Sequence, residues 1–349
     1  MIAPRTTIDP DILDAVVRGW AANTRRAFSS DLSLWSEWCR QNKTDAAKAT
    51  PKLVAAWIRA LSGMEESKLK TRKPATIERY LVNVGRAYRL MELEDPTKAA
   101  LVSFERRAMK RVLGVKQTQA KGIRFKGDIA DLDSPPKGIC IAHLLAACRR
   151  DALGKRDAAL LRIAYDTGCR RSELVAIECR HIEGPESDGA GVLFIPSSKT
   201  DQASEGQHAY LSPAAMKAIF AWQKRMKINS GPLFRRVYLH FDRSVDRLGS
   251  EPLHPNSITL IYRRLARRAF DKGLLGSMGR ERFERELRSL SSHSIRVGVA
   301  QDNFALGESL PAIMQAYRWR DSRTVMRYGA KLATRSGASA RLAKRFADD

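Results

Sequence analysis

The chain has 349 residues, 44% of them hydrophobic, which is enough to bury a sizeable core and suggests two domains rather than one. A formal net charge of +24 exceeds what solubility requires and favours a polyanionic partner, nucleic acid before membrane surface. No apolar run approaches the roughly 20 residues that span a bilayer, the start Met1 to Pro10 lacks a signal-peptide core, and five cysteines without paired spacing argue against a disulfide framework or a zinc site.

The first part reads as helices only. From Asn23 or Thr24, Phe28, Leu32, Trp35, Trp38 and Cys39 recur at three- and four-residue spacing up to Gln41. Thr50-Pro51 opens a second helix with Leu53, Val54, Trp57, Ile58 and Leu61 on one stripe, stopped by Gly63. A third follows Pro74 and carries Ile77, Tyr80, Leu81, Val84 and Tyr88. A fourth follows Asp95-Pro96 and carries Leu101, Phe104, Ala108 and Val112. Together they predict a compact four-helix domain over residues 1–113.

The apolar pattern then fails, and a linker is expected over 114–136, where Lys116, Lys121, Arg124 and Lys126 suit either a phosphate backbone or plain solvation. Residues 137–349 read as a mixed domain, mostly helical. Ile141 to Cys148 is helical, and an apolar helix from Arg156 breaks at Thr167-Gly168 before resuming over Ser172 to Ile177. Gly191 to Pro196 and His208 to Leu211 predict two strands around a polar hairpin, Ser197 to Gln207. Ser212-Pro213 caps a helix running to about Lys227. Further helices are expected from Asn256, Ser292, Ser309 and Ser322, with a detached terminal helix over Ala338 to Phe346.

Several residues in this second part suit phosphodiester chemistry, which needs neutralised nonbridging oxygens, an in-line nucleophile, a protonated leaving oxygen and proton management. Arg170 and Arg296 are candidate clamps, because guanidinium forks bind two phosphate oxygens and stay charged. Arg170 follows Gly168 inside an otherwise apolar run, where an unpaired charge is costly; Glu173 could orient it or His293. His293 and Arg296 stand at i and i+3 on one face of a helix start. In the hairpin, Lys199 could protonate a leaving oxygen. Trp319 suits either core packing or indole donation to a phosphate. Tyr328 is one of eight tyrosines, set apart by its basic neighbours Arg327 and Lys331. Acidic pairs of the kind a two-metal nuclease uses are sparse near these motifs, and no cofactor is expected.

These motifs resemble those of the tyrosine recombinases, the phage-integrase family, and most closely its Cre-type members. The likeness is dense from about Tyr165 to Lys331: His293 to Gly298, Ser309 to Ala316, Val325 to Tyr328, and a tryptophan at 319 where many relatives have histidine. A weaker likeness covers Thr24 to Cys39 and Thr76 to Arg89. The resemblance implies a mainly α fold with a small β-sheet: a two-domain DNA clamp with an all-helical core-binding domain and a mixed α/β catalytic domain. It assigns catalytic roles to Arg170, Glu173, Lys199, His293, Arg296, Trp319 and Tyr328. It further implies a site-specific recombinase working through a 3′-phosphotyrosine and a Holliday junction, without metal or ATP. The partners are double-stranded recombination sites, bound by a homotetramer on two sites, a dimer on each, with the terminal helix docking on a neighbour. The implied location is the cytoplasm, on the bacterial nucleoid when DNA is bound.

A type IB topoisomerase shares the constellation and reseals the original strand, and a regulator could keep the fold without the chemistry. Two departures from the family stand out: Arg318 occupies a position where many relatives have glycine, and Lys272 to Leu290 matches poorly. An altered turn or an added phosphate contact is expected at Arg318. For DNA reading, Arg263, Arg264 and Arg267 on the helix from Asn256, and Arg79 and Arg86 on the third helix, are expected to enter major grooves or to contact phosphate alone.

Overall fold

The computed structural model describes residues 9–115, 119–127, 134–196, 206–238, 246–330 and 338–346. The chain divides into two compact units, Met1–Thr118 and Gln119–Asp349. Among the described residues no helix is long and apolar enough to cross a membrane.

The first unit holds helices α1 (Pro10–Gly19), α2 (Ala22–Gln41), α3 (Pro51–Ser62), α4 (Pro74–Leu90) and α5 (Ala100–Leu113). Local chemistry sets their starts: the Asp9 carboxylate accepts from the Asp11 N–H, and the Thr50 hydroxyl accepts from Leu53 N–H with Pro51 in the first turn. At the centre Trp57 lies between Trp35, 4.9 Å away, and Tyr80, 5.8 Å away, with Ile58, Ile77 and Val84 buried around them. Two expectations change. Helix α1 was not anticipated. On α5 the buried residues are Val102 and Met109, two turns apart, whereas Phe104 is 63% exposed and Leu101 and Val112 also face solvent. The helix meets α3 along a stripe rotated away from the one expected, because two residues seven apart suffice for one narrow contact.

The second unit begins with α6 (Ile141–Ala147), α7 (Ala152–Thr167) and α8 (Arg171–Val175). A three-stranded antiparallel sheet follows, β1 (Ile182–Glu183), β2 (Gly191–Ile195) and β3 (Gln207–Leu211), in the order β1-β2-β3. Val192 pairs with Tyr210 and Ile195 with Gln207; alternate residues Leu193, Ile195, Ala209 and Leu211 point into the core. The Ser212 hydroxyl caps α9 (Pro213–Met226), and a hairpin of β4 (Arg235–Tyr238) and β5 (Arg247–Pro252) leads to α10 (Ser257–Asp271). Strand β1 and this hairpin were not expected from the sequence. Then come α11 (Arg280–Ser289), α12 (Ser294–Leu306), α13 (Leu310–Ala316), α14 (Ser322–Gly329) and α15 (Ala338–Arg345). The poorly matched Lys272 to Leu290 thus contains α11, anchored by buried Phe283 and Leu287. Most of the polar hairpin between β2 and β3, including Lys199, lies outside the described residues, as do Lys116 and Lys331.

Residues 119–127, expected in the linker, are built into the second unit along α12. Ile123 N–H donates to the Ser294 carbonyl at 2.8 Å. Gly298 allows this approach: a Cβ there would stand 2.0 Å from the Ile123 carbonyl oxygen, which accounts for a residue that otherwise weakens a helix interior. Farther along, Asp302 accepts from Arg124 Nε at 2.6 Å, from Phe125 N–H at 2.7 Å and from Tyr165 Oη at 2.6 Å, with the Arg124 and Asp302 side chains both buried. Arg124 is therefore a buried structural cation and does not face a phosphate backbone, and Lys121 pairs with Glu286 at 3.3 Å. Removing one partner of such a buried pair leaves the other charge uncompensated. Asp302→Ala should destabilise the protein by about 3 kcal/mol. Urea unfolding followed by circular dichroism checks this; an unchanged midpoint would show that the network contributes nothing.

Candidate active site

Helix α7 ends at Thr167, and Gly168, at φ +56°, turns the chain with its N–H on the Ala164 carbonyl. Such a left-handed turn is free of Cβ strain only for glycine. The turn makes Arg170 the N-cap of α8. Three residues on, the Glu173 carboxylate accepts from Arg170 N–H at 2.9 Å and from Arg170 Nη1 at 2.7 Å. Burial pushes the Glu173 carboxyl up, but the hydrogen bonds and charge of Arg170, with the charge of Arg318, outweigh this and hold it below the usual glutamate range. Glu173 is thus an ionised, buried carboxylate that fixes Arg170. It does not reach toward His293 in the hydrogen bonds it makes.

Arg296, one turn into α12, is buried and donates through Nη1 to the Gly168 carbonyl, so the two helices meet at the same turn. Its Cζ lies 4.5 Å from the centre of the Trp319 ring. Burial, then the charge of Arg170, lower its pKa to about 10, so it stays charged at neutral pH. Arg296 Nη2 and Trp319 Nε1 are both buried without a hydrogen-bond partner among the described residues. Such donors are uncommon and costly in a folded protein.

Tyr328 sits on α14, whose start is capped by Asp321, accepting from Arg323 and Thr324 N–H. Its ring packs edge-on against Trp319 at 6.2 Å and 64°, in a small cluster with Ala300, Ile313 and Val325. From α12, Gln301 Nε2 donates to the Tyr328 carbonyl at 3.3 Å. Trp319 thus packs in this cluster, one of the two readings the sequence left open, with its indole N–H buried. His293 is the exposed N-cap of α12, which begins at Ser294 rather than Ser292; its N–H donates to Ser291 Oγ at 3.1 Å.

Arg318 is the local departure. The end of α13 is a Schellman turn, with Arg318 N–H on the Gln315 carbonyl and Trp319 N–H on the Met314 carbonyl. Arg318 occupies its left-handed position at φ +56°, a cost on the order of 1 kcal/mol for a residue with a Cβ. Its side chain is turned inward, only 7% of the residue being exposed, with Nη2 3.6 Å from Glu173 Oε2 and 3.5 Å from Cys169 Sγ. The missing glycine is visible in the sequence, whereas this ion pair is not. Arg170 and Arg318 therefore share the Glu173 carboxylate, and Arg296 lies close enough to feel the charge of all three; the resulting excess of positive charge beside a tyrosine suits an anion with several oxygens.

The arginines expected to read DNA have internal partners. Arg263 Nη2 donates to the Arg288 and Leu290 carbonyls, closing the end of α11, so it is spent on structure. Arg264 pairs with buried Asp157 while staying half exposed. Arg267 is mostly exposed, with Glu284 3.9 Å away. In the first unit Arg79 pairs with buried Asp31 at 2.9 Å, and Arg86 stacks over the Trp20 ring at 4.8 Å. Arg263→Ala should lower the melting temperature without changing which DNA sequences are preferred; a changed preference at unchanged stability would contradict the structural role.

The phage integrase family model matches residues 140–335, more than half of the chain and the whole of this constellation. The chain is 24% identical over 316 residues to an integrase/recombinase XerD homolog of Selenomonas ruminantium, covering 88% of this chain and 81% of that protein. It is 26% identical over 333 residues to the recombinase Cre of Escherichia phage P1, covering 93% and 89%. Among solved structures, the Tn1549 transposon integrase in complex with circular intermediate DNA aligns with a TM-score of 0.56 at 12% identity, over 93% of this chain and 97% of that one. The XerH site-specific recombinase bound to difH substrate aligns at 0.52 and 12% identity, over 86% and 75%. These likenesses support the mainly α fold with small antiparallel sheets. With a family model spanning the arginine cluster, the tryptophan and the tyrosine alike, the chain belongs to the phage integrase family and is a tyrosine recombinase.

Proposed function

We propose that the protein is a site-specific DNA recombinase that cleaves and rejoins duplex DNA through Tyr328. One observation carries the reading: Arg170 and Arg318 on a single ionised carboxylate, with a third buried guanidinium, Arg296, stacked on the Trp319 ring that also packs on Tyr328. A scissile phosphate would supply the missing negative charge. Arg170 and Arg296 would hold its nonbridging oxygens, and Trp319 Nε1 would add a neutral donor.

The Tyr328 oxygen attacks phosphorus in line, the P–O5′ bond breaks, and a 3′-phosphotyrosine forms. His293 takes the phenol proton, and Lys199 delivers a proton to the departing 5′ oxygen. The freed 5′-hydroxyl of a partner duplex reverses the step and gives a Holliday junction. Each transesterification exchanges one phosphoester for another, so the chemistry consumes no ATP. In this reading the helical first unit is a core-binding domain and the second is catalytic. Four protomers assemble on two sites, a dimer on each, within the cytoplasm and on the nucleoid when DNA is bound. Arg264 and Arg267 on α10, and Arg79 and Arg86 on α4, are the proposed DNA contacts, with the half-exposed guanidinium groups exchanging internal partners for phosphate or bases.

A nicked duplex that loses its 5′ fragment on cleavage traps the covalent intermediate. Wild-type protein should form a protein–DNA adduct in EDTA, and Tyr328→Phe should form none; an adduct from the Phe variant would remove Tyr328 from the nucleophile role. Arg296→Ala should slow adduct formation by about a hundredfold or more, the usual scale for losing a transition-state donor. Two-site plasmids should yield recombinants, whereas relaxation of supercoils without recombinants would indicate a strand-resealing topoisomerase.

A further inference from the structure

We infer that Arg318 is a positioning residue, which shares the Glu173 carboxylate with Arg170 and thereby fixes the orientation of the Arg170 guanidinium toward the scissile phosphate. The inference rests on the recombinase reading of the site. It starts from a conflict between backbone and side chain. The left-handed position of the Schellman turn, at φ +56°, is one where glycine is free of strain and arginine is not. A long polar side chain placed there would ordinarily extend into water, which removes its charge from the core at little cost. Here it is turned inward instead and kept nearly dry.

The contacts made by that buried side chain define its role. Glu173 has two oxygens, and their partners are divided. Oε1 takes Arg170 Nη1, while Oε2 takes the Arg170 backbone N–H and faces Arg318 Nη2 at 3.6 Å. Arg318 thus faces the carboxylate as an ion-pair partner from outside α8, whereas the hydrogen bonds that Glu173 accepts among the described residues come from Arg170 itself. A carboxylate held only by the residue it orients would move with it. One tied also to the turn between α13 and α14 is referenced to the segment that carries Trp319 and leads to Tyr328. Arg318 therefore couples the position of the clamp to that of the nucleophile's helix.

Direct contact with the phosphate is the competing role for the same side chain. Arg318 Nε and Nη1 are buried and without a partner among the described residues, as Arg296 Nη2 is, so loss of the effect in a Glu173 variant is what separates the two roles. Its polar neighbours are Glu173 and Cys169 Sγ. The side chain is placed to act through Glu173.

The experiment is a mutant cycle on the full-length protein with the nicked trapping substrate, measuring adduct formation at saturating DNA alongside DNA affinity. R318G suits the left-handed backbone and should fold; R318N, whose short side chain tolerates the same conformation, is the second truncation should glycine loosen the turn. Each should slow cleavage roughly tenfold at saturating DNA with DNA affinity little changed, and R318K should recover part of the rate because an ammonium can still pair with Glu173. In an E173Q background R318G should add less than about a twofold further loss. Wild-type rates in both truncations, or the same loss with and without the Glu173 carboxylate, would overturn the inference alone. Failure of the wild-type protein to form any adduct would overturn the recombinase reading and this inference with it.

Discussion

The site depends on keeping three guanidinium groups near one another with a single ionised carboxylate among them. Like unit charges about 4 Å apart repel by about 4 kcal/mol at the effective dielectric of a protein surface, so such a cluster persists only if the fold holds each member separately. It does so from three directions. Gly168 and the start of α8 place Arg170, α12 places Arg296, and the turn after α13 places Arg318. The Gly168 carbonyl, left at the end of α7, accepts from Arg296 and joins two of the three. The residual positive charge would attract a phosphate, and burial would make that attraction stronger than the same charges would provide in water.

Helix α12 connects this chemistry to the core of the second unit. Arg296 points to the cluster, while Gly298 and Asp302, farther along the helix, hold the segment that enters the unit at Ile123 to Phe125. Residues with no chemistry of their own therefore fix the register of Arg296. The same logic applies at Tyr328, positioned by Trp319 through its ring and by Gln301 through its carbonyl. Positioning of this kind is most of what phosphoryl transfer asks of a protein, since misplacement by about 1 Å can cost a hundredfold in rate.

Much of this was legible because periodicity and capping act locally. Thr50-Pro51, Ser212-Pro213 and Ser309 cap the helices they were expected to start, and the stripes of α3 and α4 face inward as spaced. The family motifs marked Arg170, Glu173, Arg296, Trp319 and Tyr328, and the fold brings all five together. What failed depended on tertiary partners. On α5 the expected stripe of Leu101, Phe104, Ala108 and Val112 is not the buried one, because packing on α3 selects Val102 and Met109. Arg124 looked like a linker cation until Asp302, 178 residues later, was seen to accept its charge. Arg263 looked like a groove-reading side chain, but two carbonyls at the end of α11 claim it. Arg318 was visible only as a missing glycine, because its partner Glu173 lies far away in sequence.

The most direct test of the central claim is to identify the residue and the DNA end joined in the trapped intermediate. Digesting the adduct with trypsin and nuclease and sequencing the modified peptide by mass spectrometry reads both at once. A nucleotide linked through its 3′ phosphate to Tyr328 is the predicted result. A nucleotide on any other residue, or one linked through a 5′ phosphate, would contradict the proposed chemistry.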